Sequence, residues 1–476
     1  MTLVAAAATA ALIATAAAPE TITLAALTPT SGENAAALLD GKPETGWSPI
    51  GDPRAEGILF RFEKNTALNT VQVQACPGAE EMRLVPTWNG AMSGLNFIKP
   101  GKVTSFSAPE GSSNAIRSIF LRFIAPTTRG CLAEVTFWRH GQRLDVRAPR
   151  SVPGKITASS ILTPKDAYHP AYLFDGRLDF GWVEGVDGPG VGESVTVAFD
   201  QPVTVNAIDL WNGYQRSTDH FKKNARAKRI SFGPGAQAAA LEVADKMGEQ
   251  TLALPAPVTG GTFTLKVLDA IKGSVYQDLV LSELRFRDAA GPFTVATPDL
   301  AQRQAALRKS LGGTPLGEVV DRFLSASCPS EDDQRELKLR SNNTFVSYEA
   351  LTISEDSNSS QVFDGVWILR TQGAPWAELE LFGRRHQVES SWAPYSEETE
   401  KTTDRIAGGK IEVARVADLG PDAFWKLMKE WRGKGAKGRV DCLFQGNPEE
   451  RFQQLLSSGA VVVRGTAITD VLSIPH

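Results

Sequence analysis

Aromatic and planar polar side chains lie close together in the sequence between residues 182 and 228. The aromatic members are Trp182, Trp211 and Tyr214, and the polar members are Glu184, Asp187, Asn212, Asn224, Arg226 and Lys228. Aromatic rings offer a flat apolar face, whereas carboxylate, amide and guanidinium groups offer paired acceptors and donors. Together they can hold a molecule that has both C–H faces and hydroxyl groups, such as a sugar. They fall on predicted loops or strand ends, where sandwich domains usually carry their sites.

These residues also have structural explanations. Trp182 has a counterpart in Trp47, because DGRLDFGW (175–182) and DGKPETGW (40–47) share one spacing. A tryptophan that recurs without the polar residues is expected to close a core, and this role is favoured for Trp182. For Asn212 and Tyr214 both roles remain open. The aspartate of each motif precedes glycine and is expected to form an Asx turn.

The basic run KKNARAKR (222–229) contains Asn224, Arg226 and Lys228. A solvated hairpin is the favoured interpretation of such a run. Contact with an anionic glycan or a phosphate group is the alternative.

The two Asp-Gly motifs belong to a longer internal repeat. Matching strand-like segments follow in each copy, namely 57–62 and 193–199, then 69–73 and 206–210, and finally 131–138 and 279–286. Period-two alternation between turn residues predicts an antiparallel β-sandwich of roughly 120 residues for each copy. We therefore predict sandwiches at 20–140 and 155–288. A Pro/Gly-bearing connector at 139–154 joins them, and a second one at 288–299 leads into the following segment.

After residue 299 the pattern changes. Alternating runs between 335 and 385 predict strands, and apolar residues at helical spacing predict helices at 300–311, 422–431 and 449–458. We predict a separate α+β domain at 299–476, whose Trp367, Trp376, Phe382 and Trp392 form core or barrel lining. The fold class is thus multidomain and mainly β, with two antiparallel β-sandwiches followed by an α+β domain.

Composition excludes some classes of protein. The 476 residues carry a formal net charge of -4, which argues against a nucleic-acid partner. Residues 1–19 are small and apolar, as in the hydrophobic region of a secretory signal, although no basic residue precedes them. A disordered Ala-rich tail is the alternative. No other stretch approaches a transmembrane span.

The four cysteines fall in two pairs. Cys76 and Cys131 lie in the first predicted sandwich, and Cys328 and Cys442 lie in the last domain. Neither pair has the spacing of metal ligands. One disulfide within each domain would suit an oxidising compartment, with buried free thiols as the alternative. We therefore expect a secreted, periplasmic or cell-surface protein.

Catalytic signatures are scarce in the sequence. The five histidines form no metal-binding spacing, and no nucleophile elbow, Walker loop or dinucleotide fingerprint is present. GPGVGE (188–193) precedes a strand and so cannot place a phosphate at a helix N-terminus. A carboxylate pair that meets only in space stays open. We predict that the protein is not an enzyme, with the question left open for the C-terminal domain.

The second repeat resembles the discoidin-type, galactose-binding-like jelly roll, and is most similar to the glycan-binding module of bacterial NAD glycohydrolases. The matching elements are Asp175-Gly176, Trp182-Val183-Glu184-Gly185, Gly192-Glu193, Asn212-Gly213-Tyr214, Asn224, Arg226 and Lys228. The resemblance implies a glycan-binding role for these residues and permits a structural calcium ion at the Asp175 loop. The first repeat keeps only Asp40-Gly41, Thr45 and Trp47. Nothing beyond about residue 290 is covered, and the glycohydrolase catalytic domain has no counterpart.

The favoured hypothesis is an exported bacterial binding protein that recognises a carbohydrate or related surface ligand through the second sandwich. One alternative is a non-catalytic envelope protein whose sandwiches dock partner proteins. Another is an enzyme with its active site in residues 299–476. We expect no cofactor apart from the structural calcium, while the ligand's identity and the oligomeric state stay open.

Overall fold

The computed structural model describes residues 21–473 apart from 90, 94–95, 112, 114, 126–128, 164, 166, 179, 297, 313, 329–332, 355–356, 392–398, 435–439 and 467. Two β-sandwiches come first along the chain, and a closed β-barrel with helices follows. The signal-like segment at 1–19 and Trp392 lie outside the described residues.

The first sandwich has two sheets, with strand orders β11-β1-β2-β8-β4-β5 (β6 also pairs with β4) and β10-β9-β3-β7. Its strands are β1 (Thr21–Pro29), β2 (Gly57–Thr66), β3 (Thr70–Ala75), β4 (Met82–Trp88), β5 (Ala91–Met92), β6 (Asn96–Ile98), β7 (Val103–Ser107), β8 (Ile116–Ala125), β9 (Leu132–Arg139), β10 (Gln142–Arg143) and β11 (Asp145–Arg147). Alternate side chains point into one core, as Val71 and Val73 do from β3. A disulfide joins Cys76 to Cys131.

The second sandwich contains one continuous set of paired strands, β13-β18-β19-β12-β14-β17-β15-β16. Its elements are β12 (Arg150–Ala158), β13 (Trp182–Val183), β14 (Ser194–Asn212), α1 (Thr218–Lys223), β15 (Arg226–Gly233), β16 (Ala239–Glu242), β17 (Gln250–Ile271), β18 (Val280–Asp288) and β19 (Gly291–Ala296). The first part of β14 pairs with β12 and its last part pairs with β18. The register of β14 against β17 shifts between these two parts. This irregular pairing allows the single long strand β14 to contribute to both layers of the sandwich.

The C-terminal domain has the predicted helices and strands, and its strands close into an eight-stranded antiparallel barrel in chain order. The strands are β20 (Leu324–Ala326), β21 (Asp333–Leu339), β22 (Thr344–Ser354), β23 (Ser357–Gln372), β24 (Ala377–Ser391), β25 (Thr399–Arg415), β26 (Val461–Gly465) and β27 (Asp470–Ser473). The helices are α2 (Pro298–Leu311), α3 (Val416–Gly433) and α4 (Pro448–Ser457).

Helices α3 and α4 pack through Phe424 and Phe452 into an apolar cluster shared with Val462 and Val471 of the barrel. A disulfide joins Cys328 to Cys442 at this cluster. The helices therefore cover the outer face of β26 and β27.

The predicted aromatic lining is divided between three environments. Trp367 belongs to the barrel core. Phe382 faces the second sandwich instead, because it alternates with the inward-facing Leu381 on β24. Trp376 packs with the helical cluster.

Both predicted connectors are strands rather than linkers. Residues 139–154 contribute β10, β11 and the start of β12, and residues 288–299 contribute β19. Leu144 and Val146 bury their side chains in the first core, and Phe293 and Val295 bury theirs in the second. These short apolar alternations extend each sandwich beyond the predicted boundaries.

The three domains contact one another through different chemistry. The first sandwich and the barrel meet at Glu56 and Lys338, whose charged atoms lie 2.5 Å apart. The two sandwiches meet where Arg285 contacts Glu63 at 2.5 Å. The second sandwich meets the barrel through an apolar cluster that includes Phe180.

Candidate ligand-binding site

Trp182 and Trp47 have the same role in the two sandwiches. Both side chains are completely buried. The indole nitrogen of Trp182 donates to the Ser160 carbonyl at 2.9 Å, and that of Trp47 donates to the Ser31 carbonyl at 3.0 Å. The repeated tryptophan therefore anchors each core, and Trp182 presents no ring face to a ligand.

Asp175 and Asp40 form the expected turns. The Asp175 carboxylate accepts from the backbone N–H of Arg177, and that of Asp40 accepts from Lys42, both at 2.8 Å. The guanidinium of Arg61 also acts on Asp175 electrostatically. Nowhere in the described residues do three or more His, Cys, Asp or Glu side chains form a metal-binding group. The Asp175 loop forms an Asx turn, and the structural calcium ion stays a prediction.

Glu184 fastens two loops together. Its carboxylate accepts from the backbone N–H of Val186 at 2.8 Å and from that of Leu279 at 3.0 Å. The side chain is buried, and burial raises its pKa. Asp187 is exposed on the loop that follows. Glu184 therefore positions the loop rather than reaching a ligand itself.

The side chains of Asn212 and Arg226 also form hydrogen bonds with backbone groups. The Asn212 carboxamide donates to the Ala227 carbonyl at 2.8 Å and accepts from the Ala227 N–H at 2.9 Å. Arg226 binds the Asp245 carboxylate at 2.6 and 3.0 Å. Lys228 is exposed and pairs with an aspartate on the neighbouring strand. The predicted motif residues thus hold the corner around β15 in place.

Trp211 lies at the junction of the two sandwiches and away from any open loop. Its ring is covered by the guanidinium groups of Arg61 at 5.2 Å and Arg285 at 4.9 Å. The side chain is buried. Such cation–π contacts give Trp211 an interdomain structural role.

Tyr214 and Asn224 line a cleft of about 330 Å³ between the second sandwich and the barrel. The sandwich wall also includes Leu162, Ala167, Tyr168, Phe180, Val183, Arg216, Tyr276 and Asp278, and the barrel wall includes Val366, Phe382, Gly383, Ala407 and Gly408. The other seven residues of the predicted site do not line this cleft. The structure therefore brings together only two of the nine and adds new polar and aromatic neighbours.

Arg216 is held above the aromatic floor of the cleft. Its guanidinium carbon lies 5.1 Å from the Tyr214 ring centroid and 5.7 Å from that of Phe180. The Tyr214 and His220 rings meet edge to face, with centroids 5.4 Å apart. This stacking leaves a planar, permanently charged donor group beside flat apolar faces.

Burial sets the protonation of the groups around the cleft. Desolvation lowers the pKa of His220 to about 4, with Arg216 acting in the same direction. Desolvation also raises the pKa of the Tyr168 hydroxyl and of the Asp278 carboxyl. At neutral pH the imidazole and the phenol are uncharged, so the site is suited to hydrogen bonding.

Sequence reasoning missed Tyr168, Arg216, Tyr276 and Asp278. Arg216 lies two residues after Tyr214 of the Asn212-Gly213-Tyr214 motif, and Tyr276 and Asp278 lie just before β18, so their proximity to motif elements was an available signal. The barrel residues of the cleft had no such signal in the sequence, because only the packing of the two domains brings them to the sandwich.

The sequence of residues 149–287 matches the family model of the NAD glycohydrolase translocation F5/8 type C domain. The second sandwich is a discoidin-type domain. The first sandwich lies outside that match but has the same tryptophan anchor and aspartate turn. The matching family is a translocation domain and not the glycohydrolase itself, in agreement with a non-catalytic second sandwich.

Several solved structures align with the chain at low similarity. The CBM32-1 and CBM32-2 domains of Clostridium perfringens ZmpB cover 55% of this chain and 92% of their own, at 12% identity and a TM-score of 0.22. The family 32 CBM of C. perfringens NanJ in complex with galactose covers 29% of this chain and 97% of its own, at 12% identity and a TM-score of 0.23. The arabinofuranosyltransferase AftD from Mycobacteria covers 88% of this chain and 43% of its own, at 12% identity and a TM-score of 0.27. No curated protein matches the sequence.

The described part of the chain contains no candidate for a membrane-spanning helix. None of its helices combines the length and the apolar character that a bilayer crossing requires.

Proposed function

We propose that the chain is an exported bacterial binding protein whose discoidin-type second sandwich recognises a carbohydrate or a related polar surface ligand. The observation that carries this proposal is the cleft in which Tyr214, Arg216, Asn224, Tyr276 and Asp278 meet. Aromatic faces beside planar donors and acceptors are the chemistry that a sugar ring requires. Recognition would be an equilibrium without a chemical step.

Each side chain of the cleft has a distinct part in this proposal. Tyr276 is 45% exposed and supplies a stacking face at the rim. Arg216 supplies paired N–H donors from a fixed position over Tyr214. Asp278 lines the same cleft as an acceptor, and desolvation raises the pKa of its half-buried carboxyl.

Export is supported by residue chemistry. Two intradomain disulfides join all four cysteines, and such bonds persist in oxidising compartments. The apolar segment at 1–19 supplies a signal-like sequence. A secreted, periplasmic or cell-surface location follows as part of the proposal.

A glycan array probed with the full chain tests the binding site. Tyr276→Ala and Arg216→Gln are expected to weaken binding to the positive glycans by about tenfold or more, equivalent to about 1.4 kcal/mol. Phe97→Ala is the matched control, because Phe97 is an aromatic residue of similar exposure, 56%, on the first sandwich. An array without positive glycans, or one on which all three variants bind equally, would contradict the proposed site.

Exposed apolar residues favour docking of an envelope protein as the second candidate function. Val186, Val191, Val275 and Tyr276 are 40 to 57% exposed on the loops that Glu184 fastens together. If docking is the function, Val191→Asp and Val275→Asp should abolish a cross-link to a cell-envelope protein while the array stays negative. Unchanged cross-linking by these variants would reject this candidate.

The hypothesis of an enzyme in residues 299–476 gains little from the structure. Such an enzyme would need an enclosed pocket with two facing carboxylates or with a histidine beside a carboxylate. The polar cavity of the barrel contains Glu349 and Asp470, but Asp470 forms a buried ion pair with Arg335 at 2.6 Å. We therefore propose no catalytic role for this domain.

A further inference from the structure

Two equivalent sheet faces in the sandwiches have different neighbours. In the first sandwich Gln72 of β3 lies opposite Thr136 of β9, and in the second Asp209 of β14 lies opposite Arg285 of β18. The face of the second sandwich is buried, and Arg285 there contacts Glu63 of the first. The equivalent face of the first sandwich has half-buried and exposed side chains. This open face consists of Thr70, Gln72 and Gln74 of β3, Ser105 and Ser107 of β7, and Thr136 and Trp138 of β9.

The charges of the buried face are replaced by neutral side chains on the open face. The replacements are Gln72 for Asp209, Thr136 for Arg285 and Trp138 for Arg287. Glu134 stands where the second sandwich has Glu283, but its side chain is buried and lies 3.7 Å from the Arg143 guanidinium. The ion pairs that join the two sandwiches therefore have no counterpart on the open face, whose centre is uncharged.

Trp138 lies at one end of the open face and takes no part in the core of its sandwich. Its side chain is half-buried, and its indole nitrogen donates to the Thr136 hydroxyl at 2.9 Å. No aromatic ring or guanidinium group of the described residues stacks on the indole. Trp211 differs, because Arg61 and Arg285 cover its ring. The described part of the chain thus leaves an indole face of Trp138 uncovered.

Amide and hydroxyl groups cover the rest of the open face. Hydrogen bonds to the other described residues are absent from the side chains of Thr70, Gln72, Gln74, Ser105 and Ser107. Because neighbouring strands lie about 4.8 Å apart, these groups form a flat array of donors and acceptors beside Trp138. An apolar partner would remove their water without replacing its hydrogen bonds, which is costly. The array therefore suits a partner rich in hydroxyl groups.

We propose that the open face binds a neutral polysaccharide chain in an extended conformation. The C–H face of one sugar ring stacks on Trp138. Hydroxyls of neighbouring rings exchange hydrogen bonds with Gln72 and Gln74, whose carboxamides both donate and accept. An uncharged chain matches the neutral face, whereas a charged protein surface would leave its ions unpaired there. The site lies on the first sandwich and does not depend on the carbohydrate proposal made for the cleft of the second.

Isothermal titration calorimetry of the full chain tests the open face with cellohexaose and chitohexaose, which are neutral and extended. At least one of the two is expected to bind. Trp138→Ala should weaken that binding by about tenfold or more, because the stacking face is lost, and Gln72→Ala should weaken it by about threefold. Phe97→Ala is the matched control, because Phe97 is an aromatic residue of the same sandwich, 56% exposed, on a strand that pairs with the other sheet.

Further measurements separate ligand binding from other roles of Trp138. The melting temperature should change little in Trp138→Ala, and Trp138→Phe, which keeps a ring, should retain part of the binding. The proposal would be overturned if neither oligosaccharide bound, or if binding survived Trp138→Ala. Self-association of the chain that Trp138→Ala abolishes would also overturn it, because the face would then belong to a second copy. Tyr276→Ala should leave this binding unchanged, so failure here and failure of the cleft are distinguishable.

Discussion

Lys338 of the barrel and Glu56 of the first sandwich form an ion pair at 2.5 Å, and neither side chain has any exposed surface. Arg340 binds the same carboxylate at 2.7 Å. Burial acts to raise the pKa of Glu56, but Arg340 and Lys338 outweigh it and lower that pKa. The opposite charges that balance Glu56 therefore come from the barrel, while Ser31 of its own sandwich donates a hydrogen bond to the same carboxylate at 2.8 Å.

Glu56→Gln is expected to destabilise the protein by about 3–5 kcal/mol, because it leaves Lys338 and Arg340 as uncompensated buried charges. Calorimetry should show the barrel and the first sandwich unfolding in separate transitions. Glu412→Gln is the control, since its pair with Arg464 is half-exposed and should contribute less than about 1 kcal/mol. Equal effects of the two variants would contradict a coupling role for the buried pair.

The second prediction concerns the two tryptophan anchors. Trp182→Phe and Trp47→Phe each remove one indole hydrogen bond to a carbonyl and some core volume, at a cost of about 2 kcal/mol. Urea denaturation should give similar losses for the two variants. Below the unfolding transition, Trp182→Phe should bind the same glycans as the unmodified chain. If Trp182→Phe lost glycan binding without losing stability, Trp182 would have to contact the ligand rather than anchor the core.

Much of the fold is readable from the sequence, since period-two alternation predicted most strands of the sandwiches and helical spacing predicted α3 and α4. Closure of the last sheet into a barrel was not readable, because closure depends on strand tilt and stagger rather than on which residues alternate. The strands β11 and β19 were missed because they are short: β11 has one buried apolar residue, Val146, and β19 has two, Phe293 and Val295.

The candidate site was only partly predictable for a different reason. Motif residues such as Glu184 and Asn212 have the polar groups of a binding site, but their hydrogen bonds go to backbone groups. Sequence alone does not distinguish a polar side chain that orients a loop from one that contacts a ligand. Tyr214 meets Phe382 only through the packing of two domains, and local patterns carry no information about that packing.

The third prediction concerns the loop that Glu184 holds. Its carboxylate accepts two backbone N–H groups, whereas a glutamine has one acceptor oxygen and turns an NH₂ group towards the other donor. Glu184→Gln should therefore cost about 1–3 kcal/mol. Hydrogen exchange should accelerate at the Val186 and Leu279 amides. The exposed Glu242→Gln serves as control, and unchanged exchange at both amides would show that Glu184 does not hold the loop.

The last prediction concerns the pH dependence that His220 gives to the cleft. Burial is the main cause that lowers its pKa to about 4, and Arg216, Lys223 and Arg384 act in the same direction while Asp219 opposes them. The unfolded chain, with an ordinary histidine pKa near 6.5, takes up a proton first as the pH falls. This part of the stability is therefore complete above about pH 6.5 and is lost progressively towards pH 4, by about 2–3 kcal/mol.

His220→Gln removes the titrating group and should flatten this part of the stability profile between pH 6.5 and 4 in urea denaturation. Because His220 packs against Tyr214, glycan binding by the unmodified chain should weaken over the same range as the imidazole gains charge beside Arg216. Binding by the glutamine variant should change less across that range. A stability profile with the same slope in both proteins would show that His220 does not titrate in this range on folding.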